Sequence, residues 1–316
     1  MNRDRKAVRV PGPAGRPTCD RDVVVVGGGI AGLAAATVLA ERGARVVLCE
    51  REDHLGGRVG GWATRLADGS DATMTRGFHA FFRQYYNLRS LLARVYPDGS
   101  ALVGLPDYPL WHAGGHRDGF AGLPRSAPWN AAAFLLRSPA FTWADLRTVD
   151  TRAALPLLDV SVPGTYHDLD DLDAATYLDR VRFPRAAHAL AFEVFSRSFF
   201  AHPSRMSAAE LATMFHTYFL GSSEGLLFDV PADPFPRVLW DPLARYLAER
   251  GADVRTGTPV LRVDRGERFT VHLADSVLEA DAVVLALDVA GLRRLVAASD
   301  LGTPGWRADV DALECA

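Results

Sequence analysis

Cysteine is nearly absent from this sequence. Cys19, Cys49 and Cys315 are the three thiols in 316 residues, odd in number, far apart and without a C-x-x-C pair. That pattern excludes a disulfide framework and a cysteine zinc site, and it points to a reducing compartment. His188, His202 and His216 lack ligand spacing as well, so no metal is expected. No stretch approaches the ~18 uninterrupted apolar residues of a spanning helix. The expected location is therefore cytoplasmic, with peripheral contact on the inner face of a membrane left open, because that needs only a local apolar patch. Charge of one sign is also missing: net charge is −3, and the 35 basic residues, mostly arginine, are spread along the chain. A nucleic-acid partner is not expected from such a distribution. Arg3, Arg5, Lys6, Arg9 and Arg16 sit in a Pro/Gly-containing stretch without the apolar run of a signal peptide, which predicts a disordered tail over residues 1–21.

What is present begins at Asp22. Asp22-Val23-Val24-Val25-Val26 is the β-branched run of a strand buried on both faces of a parallel sheet. Gly27, Gly29 and Gly32 follow in G-x-G-x-x-G spacing. Gly27 suits the tight turn, Gly29 lets a pyrophosphate approach the backbone, and Gly32 allows the next helix to pack closely on the strand. That helix is predicted from Ile30 to Arg42, ending at Gly43. Its first N–H groups, around Ile30 and Ala31, would meet phosphate with the positive end of the helix dipole. A second strand, Arg45–Cys49, leads to Glu50, 21 residues beyond Gly29, where a carboxylate can hold ribose hydroxyls. Arg51 is grouped with these cofactor contacts.

Leu55-Gly56-Gly57-Arg58 resembles the second fingerprint of flavin oxidoreductases of the amine oxidase and phytoene desaturase superfamily, and it selects FAD over NAD. The resemblance implies that Gly56 and Gly57 pass close to the cofactor and that Arg58 neutralises phosphate. It further implies that Gly77, Phe78 and His79 run near the isoalloxazine. Residues 251–255 and 259–263 read as two short strands; the same resemblance implies that they return the chain to the nucleotide domain, with the backbone of Val260 against the adenine. Residues 279–286 read as one more buried strand of that domain.

The expected fold is α/β: a Rossmann-like FAD-binding domain of the glutathione reductase type, interrupted by an α+β substrate domain, with its C-terminal part missing. The expected parts are residues 22–90 and 241–290 for the nucleotide domain, 91–240 for the substrate or cap domain, and 291–316 for the start of a truncated C-terminal region. Within the insertion, residues 186–200 read as helical and carry Phe192, Phe195, Phe199 and Phe200. Ser207 to Glu210 reads as a capping box opening a helix to about Leu220. Met214, Phe215, Tyr218 and Phe219 lie along it at helical spacing. Spacing alone makes that stripe core; its place in the insertion makes it substrate lining.

Several long blocks, among them Arg76–Pro97, Phe192–Phe200, Met214–His216 and Phe219–Val230, closely resemble bacterial isorenieratene synthase, a family also described as a β-carotene desaturase/methyltransferase. The resemblance implies conversion of the β-ionone ring of a carotenoid into an aromatic ring by hydride removal and a 1,2-methyl shift, with a β-carotene-like partner. Aromatic faces could stabilise the cation such a shift passes through. His79 is the first candidate near the reacting ring. Glu224 and Asp229 are candidates for the closing base, and Arg83 or Arg197 for their counter-charge. Each also reads as an ordinary structural histidine, loop carboxylate or surface arginine. Related FAD-dependent desaturases or amine oxidases, and an FAD-binding remnant without turnover, are the alternatives. Oligomeric state is not specified by the sequence.

Overall fold

The computed structural model describes residues 18–111, 115, 117–124, 129–139, 141–184, 201–220 and 227–314. By packing, the described residues up to His79, 87–103 and from Pro231 onward form one unit, and those within 80–86 and 104–230 form another.

The first unit is built on β1 (Asp22–Val26), α1 (Ile30–Glu41) and β2 (Arg45–Cys49). The four valines of β1 are at most 4% exposed, because this strand lies between two parallel neighbours and is covered on both faces. α1 buries Leu33, Ala36 and Ala40 and packs on β1, on β2 and on the helix Asp241–Ala248. We call that helix α2. Beyond β2 come a hairpin, β3 (Gly61–Arg65) with β4 (Asp71–Thr75), and, after α2, β5 (Asp253–Arg255), β6 (Arg262–Arg265), β7 (Phe269–His272), β8 (Val277–Ala280) and β9 (Ala282–Leu285). The parallel sheet has the order β5-β2-β1-β9, and β6-β7-β8 form a separate antiparallel sheet. Val263, Val271 and Ala280 of the second sheet pack with Val24, Val26 and Cys49 of the first. The helices α3 (Val289–Ala298) and α4 (Pro304–Ala312) close the unit.

Four expectations shift in this unit. Residues before Asp22 already join the unit: the Cys19 N–H donates to the Arg42 carbonyl at 2.8 Å, and Asp20 pairs with Arg45. α1 stops one residue early, with Arg42 as its C-cap. The strand expected at 259–263 forms at Arg262–Arg265, since Pro259 has no N–H to give a ladder. The strand expected over 279–286 is two strands in different sheets. Asp281 separates them: its N–H donates to the Asp22 carbonyl, its carboxylate accepts from the Asp22 N–H, and Arg268 bridges both aspartates.

The second unit is mainly helical. Helices Trp129–Arg137, Thr151–Leu158, Ala174–Val181 and Ala208–Phe215 surround a core that includes Leu157, Tyr177, Leu178, Leu211 and Met214. Ser207 caps its helix as expected, accepting from Ala209 and Glu210, but Glu210 accepts from the Tyr166 hydroxyl. The helix then widens into a π-helical turn over His216–Leu220. Residues 186–200 lie outside the described residues.

Candidate functional site

The glycine loop between β1 and α1 shows why each glycine stands where it does. Gly27 has φ +107°, and a Cβ there would lie 2.3 Å from the Ala286 carbonyl oxygen. A Cβ on Gly32 would lie 1.9 Å from the Gly27 carbonyl oxygen, so only glycine lets α1 sit this close to the strand end. Gly29 is different: an added Cβ would meet nothing within 4 Å. Open space therefore faces the start of α1. Gly29 is the N-cap and has no side chain to accept from the first-turn N–H groups, and no acid sits in that turn. Ile30 and Ala31 are exposed there. Uncapped donors, a helix dipole and empty space make an anion cradle.

The second glycine pair packs directly on the first loop. The Gly56 N–H donates to the Gly28 carbonyl at 2.9 Å, and a Cβ on Gly57 would come within 3.3 Å of the Gly29 Cα. Gly56 has φ +101° and is roofed by Trp240, whose ring would be 2.3 Å from an added Cβ. The fully buried Trp240 donates from Nε1 to the Val59 carbonyl at 2.8 Å and so fixes the turn. Sequence reasoning passed over Trp240. The only signal was an apolar run just ahead of α2, about 180 residues from the loop it locks.

Glu50 is 7% exposed, and its carboxylate is held by two backbone donors, Gly28 N–H at 2.6 Å and Glu52 N–H at 2.9 Å. Each oxygen keeps a further lone pair for a hydroxyl. The chain after β5 closes on the same place: Gly257 N–H donates to the Glu52 carbonyl and Thr258 N–H to the Glu50 carbonyl, both at 2.7 Å. Val260 follows, half-buried against the cluster of Val24, Val26 and Cys49. Arg51 is exposed and pairs with Glu52 at 2.9 Å. Arg58 is exposed, and its carbonyl accepts from His79 Nε2 at 3.1 Å, which brings the 77–79 segment to the second glycine pair. Gly77 has φ +138° with nothing within 4 Å of an added Cβ, Phe78 is 68% exposed, and the His79 ring lies 5.8 Å from that of Phe235.

In the second unit, Asp229 is buried and pairs with Arg83 at 3.2 Å. Beside them Phe82 stacks on Tyr218 with centroids 4.2 Å apart, and Tyr108 and Phe228 meet edge to face at 4.7 Å. The Tyr218 hydroxyl lies 3.0 Å from that of Tyr85, and burial pushes the Tyr218 phenol well above its ordinary range. Met214 and Tyr218 are core residues here, and Phe215 packs against the same core. Glu224 and Arg197, and the side chain of Phe219, lie outside the described residues. Among the described residues no group of acids, histidines and cysteines could hold a metal ion.

This arrangement has known counterparts. The chain is 59% identical to the carotenoid phi-ring synthase of Streptomyces griseus over 99% of its own length, and it spans 62% of that protein. It is 30% identical to the carotenoid phi-ring synthase of Chlorobaculum tepidum over 76% of its length, spanning 37% of that relative. Among solved structures it superposes on cyclohexylamine oxidase from Brevibacterium oxydans with a TM-score of 0.64 at 20% identity, over 93% of this chain and 63% of that one, which is a likeness of fold. Residues 30–310 match the model of the flavin containing amine oxidoreductases. The open cradle at Gly29, the clasped Glu50 and the second glycine pair fit FAD, and FAD is the cofactor. The chain belongs to the flavin-containing amine oxidoreductase family.

Proposed function

We propose that this chain acts as an FAD-dependent oxidoreductase on a carotenoid, desaturating and rearranging a β-ionone ring of a β-carotene-like substrate to an aromatic ring. The observation that carries the reading is the likeness to a phi-ring synthase running the length of the chain, through the nucleotide unit and the helical unit alike. When bound, FAD supplies the hydride acceptor.

The chain's own residues have separable tasks. Gly29 and the first turn of α1 receive the pyrophosphate, with Gly56, Gly57 and Arg58 closing on it and Arg51 beside it. Glu50 accepts from ribose hydroxyls, and its two backbone donors keep the carboxylate aimed. The Val260 backbone meets the adenine. Gly77, Phe78 and His79 border the flavin ring, with His79 fixed through Nε2–H by the Arg58 carbonyl. Asp229 is the base that takes a proton as the ring becomes aromatic, and Arg83 holds its carboxylate in place. Glu224 is the second candidate for that step. Aromatic faces such as Phe82 and Tyr218 suit both a hydrocarbon and a passing cation. The domain division proposed is a nucleotide domain interrupted by a substrate domain. A carotenoid dissolves in lipid, which supports a cytoplasmic protein in peripheral contact with the inner face of the membrane.

Pigment analysis in cells making β-carotene tests the reading. Expression of the chain should yield aromatic-ring carotenoids, and Asp229→Asn should lower their yield at least tenfold with flavin loading retained. Unchanged β-carotene beside soluble, flavin-loaded protein would overturn it. Acyclic desaturation products would favour a related desaturase instead.

A further inference from the structure

The helix Ala208–Phe215 runs on into the π-helical turn His216–Leu220. Such turns are rare, short and frequent at functional sites, and their backbone departs from the regular ladder, so one needs support from outside the helix. Here one short stretch of chain supplies it. The Tyr85 N–H donates to the Phe82 carbonyl at 3.1 Å and closes residues 82–85 into a turn. From that turn Gln84 Nε2 donates to the Thr217 carbonyl, the Tyr85 hydroxyl lies 3.0 Å from that of Tyr218, and Phe82 stacks on the Tyr218 ring at 4.2 Å. Residues 84 and 85 thus grip residues 217 and 218 in step, 133 positions along the chain. Tyr218 is pinned by its face and by its tip, which leaves the ring little freedom to tilt.

Stability alone does not account for Gln84. The residue is 9% exposed, and its Oε1 meets no partner among the described residues. Burying an amide with half its capacity unmet costs free energy, and an apolar side chain of the same length would avoid that cost. What Gln84 provides that such a side chain could not is the N–H on the Thr217 carbonyl. The tyrosine pair has the same character. Burial first, and then the bond from Tyr85, push the Tyr218 phenol well above its ordinary range, so its hydroxyl keeps the proton and the contact with Tyr85 persists at working pH.

We propose that Gln84 and Tyr85 are positioning residues, which hold the π-helical turn and through it the Tyr218 ring as a fixed aromatic face for the reacting carotenoid ring. The inference deepens the carotenoid reading and rests on it. In that reading the ring gives a hydride to the flavin and becomes a cation, which the aromatic face stabilises. If the cation loses its proton to the base before the methyl group has moved, the ring gains a double bond and keeps two methyl groups on one carbon. If it survives until the methyl group has moved, the ring goes on to become aromatic. A face held still lengthens the life of the cation, so Gln84 and Tyr85 govern the partition between the two products while touching neither substrate nor flavin.

Gln84→Met, which keeps the length and removes the donor, and Tyr85→Phe, which keeps the ring and removes the hydroxyl, test the assignment in the full chain. In cells making β-carotene, each should lower the ratio of aromatic rings to unshifted, desaturated rings by about fivefold or more. Flavin loading should be unchanged, and the melting temperature of Gln84→Met should stay within about 3 °C of native, since one bond is lost and one orphaned acceptor removed. Tyr166→Phe, which removes the hydroxyl that donates to Glu210 on the same helix, should leave the ratio at its native value. Amide exchange in the purified, flavin-loaded proteins gives a readout free of turnover: the π-helical turn should exchange faster in both variants than in the native chain, with the rest of the helical unit unchanged. An unchanged ratio, a yield that falls with the ratio fixed, or unchanged exchange at the turn would each overturn the positioning role. Native protein that makes aromatic rings beside variants with the native ratio sinks this inference alone. Native protein that makes no ring product sinks the carotenoid reading and this inference with it.

Discussion

Gly29 and Gly32 carry the same side chain, three residues apart, for opposite reasons. At Gly32 the space is already filled by the Gly27 carbonyl; at Gly29 it is empty. Gly32→Ala should therefore destabilise the protein by about 3 kcal/mol, as backbone has to move. Gly29→Ala should leave the flavin-free protein within about 1 kcal/mol of native stability, yet weaken FAD at least tenfold, about 1.4 kcal/mol. Chemical unfolding and flavin titration of the two variants distinguish these outcomes. The tight turn at Gly27 and the close packing at Gly32 were legible in the sequence, because the spacing of a turn is local. The clasp on Glu50 was not visible, since both of its oxygens are engaged by backbone donors that any residue type would offer. Cys49 gives a second test at this scale. Burial pushes its thiol up to about 11, so little thiolate exists near neutral pH. Iodoacetamide at pH 8 should label Cys49 only after unfolding, as read by peptide mass spectrometry; equal labelling of native protein would contradict the burial.

Between elements, the informative contacts join residues far apart in the chain. Trp240 roofs the second glycine pair and holds the Val59 carbonyl. Trp240→Phe keeps the ring but leaves that carbonyl without its donor, which should cost about 1–2 kcal/mol. Amide exchange at Val59 and Gly60, whose N–H groups close the same turn, should quicken ahead of the rest of the unit. At the end of α1, Glu41 accepts from Arg94 through Nε at 2.6 Å and Nη2 at 3.0 Å, and from the Tyr246 hydroxyl at 2.7 Å. Arg94 first, and then Tyr246, hold the Glu41 carboxyl below its ordinary value, against the opposing effect of burial. A depressed carboxylate contributes its stability above the unfolded pKa of about 4.3 and loses it as pH falls through the folded value. Glu41→Gln should thus cost about 1–2 kcal/mol at pH 7, and the gap to the native chain should close below about pH 4. A gap independent of pH would contradict the assignment. Strand periodicity could not show that 279–286 breaks at Asp281, because its partners, Asp22 and Arg268, lie 259 and 13 residues away.

Across the molecule, the α/β character and the nucleotide end were legible because β1, α1 and β2 are contiguous and each obeys its own period. The edges of the units were less so: the chain leaves and rejoins the nucleotide unit around residues 80–86 without a change in composition. The aromatic stripe of Met214 and Tyr218 was ambiguous for a physical reason, since a hydrocarbon-lined pocket and a core use the same side chains. The chain spans 62% of the Streptomyces griseus relative, so cofactor binding is the property closest to the residues described. The direct test is an absorbance titration of the purified chain with FAD, beside the Gly29→Val variant. The native chain should take up one FAD and show a shifted, resolved flavin band, as expected for a flavin leaving water for a protein site, and Gly29→Val should show neither while remaining folded. A native spectrum identical to free FAD, or equal uptake by Gly29→Val, would contradict the account.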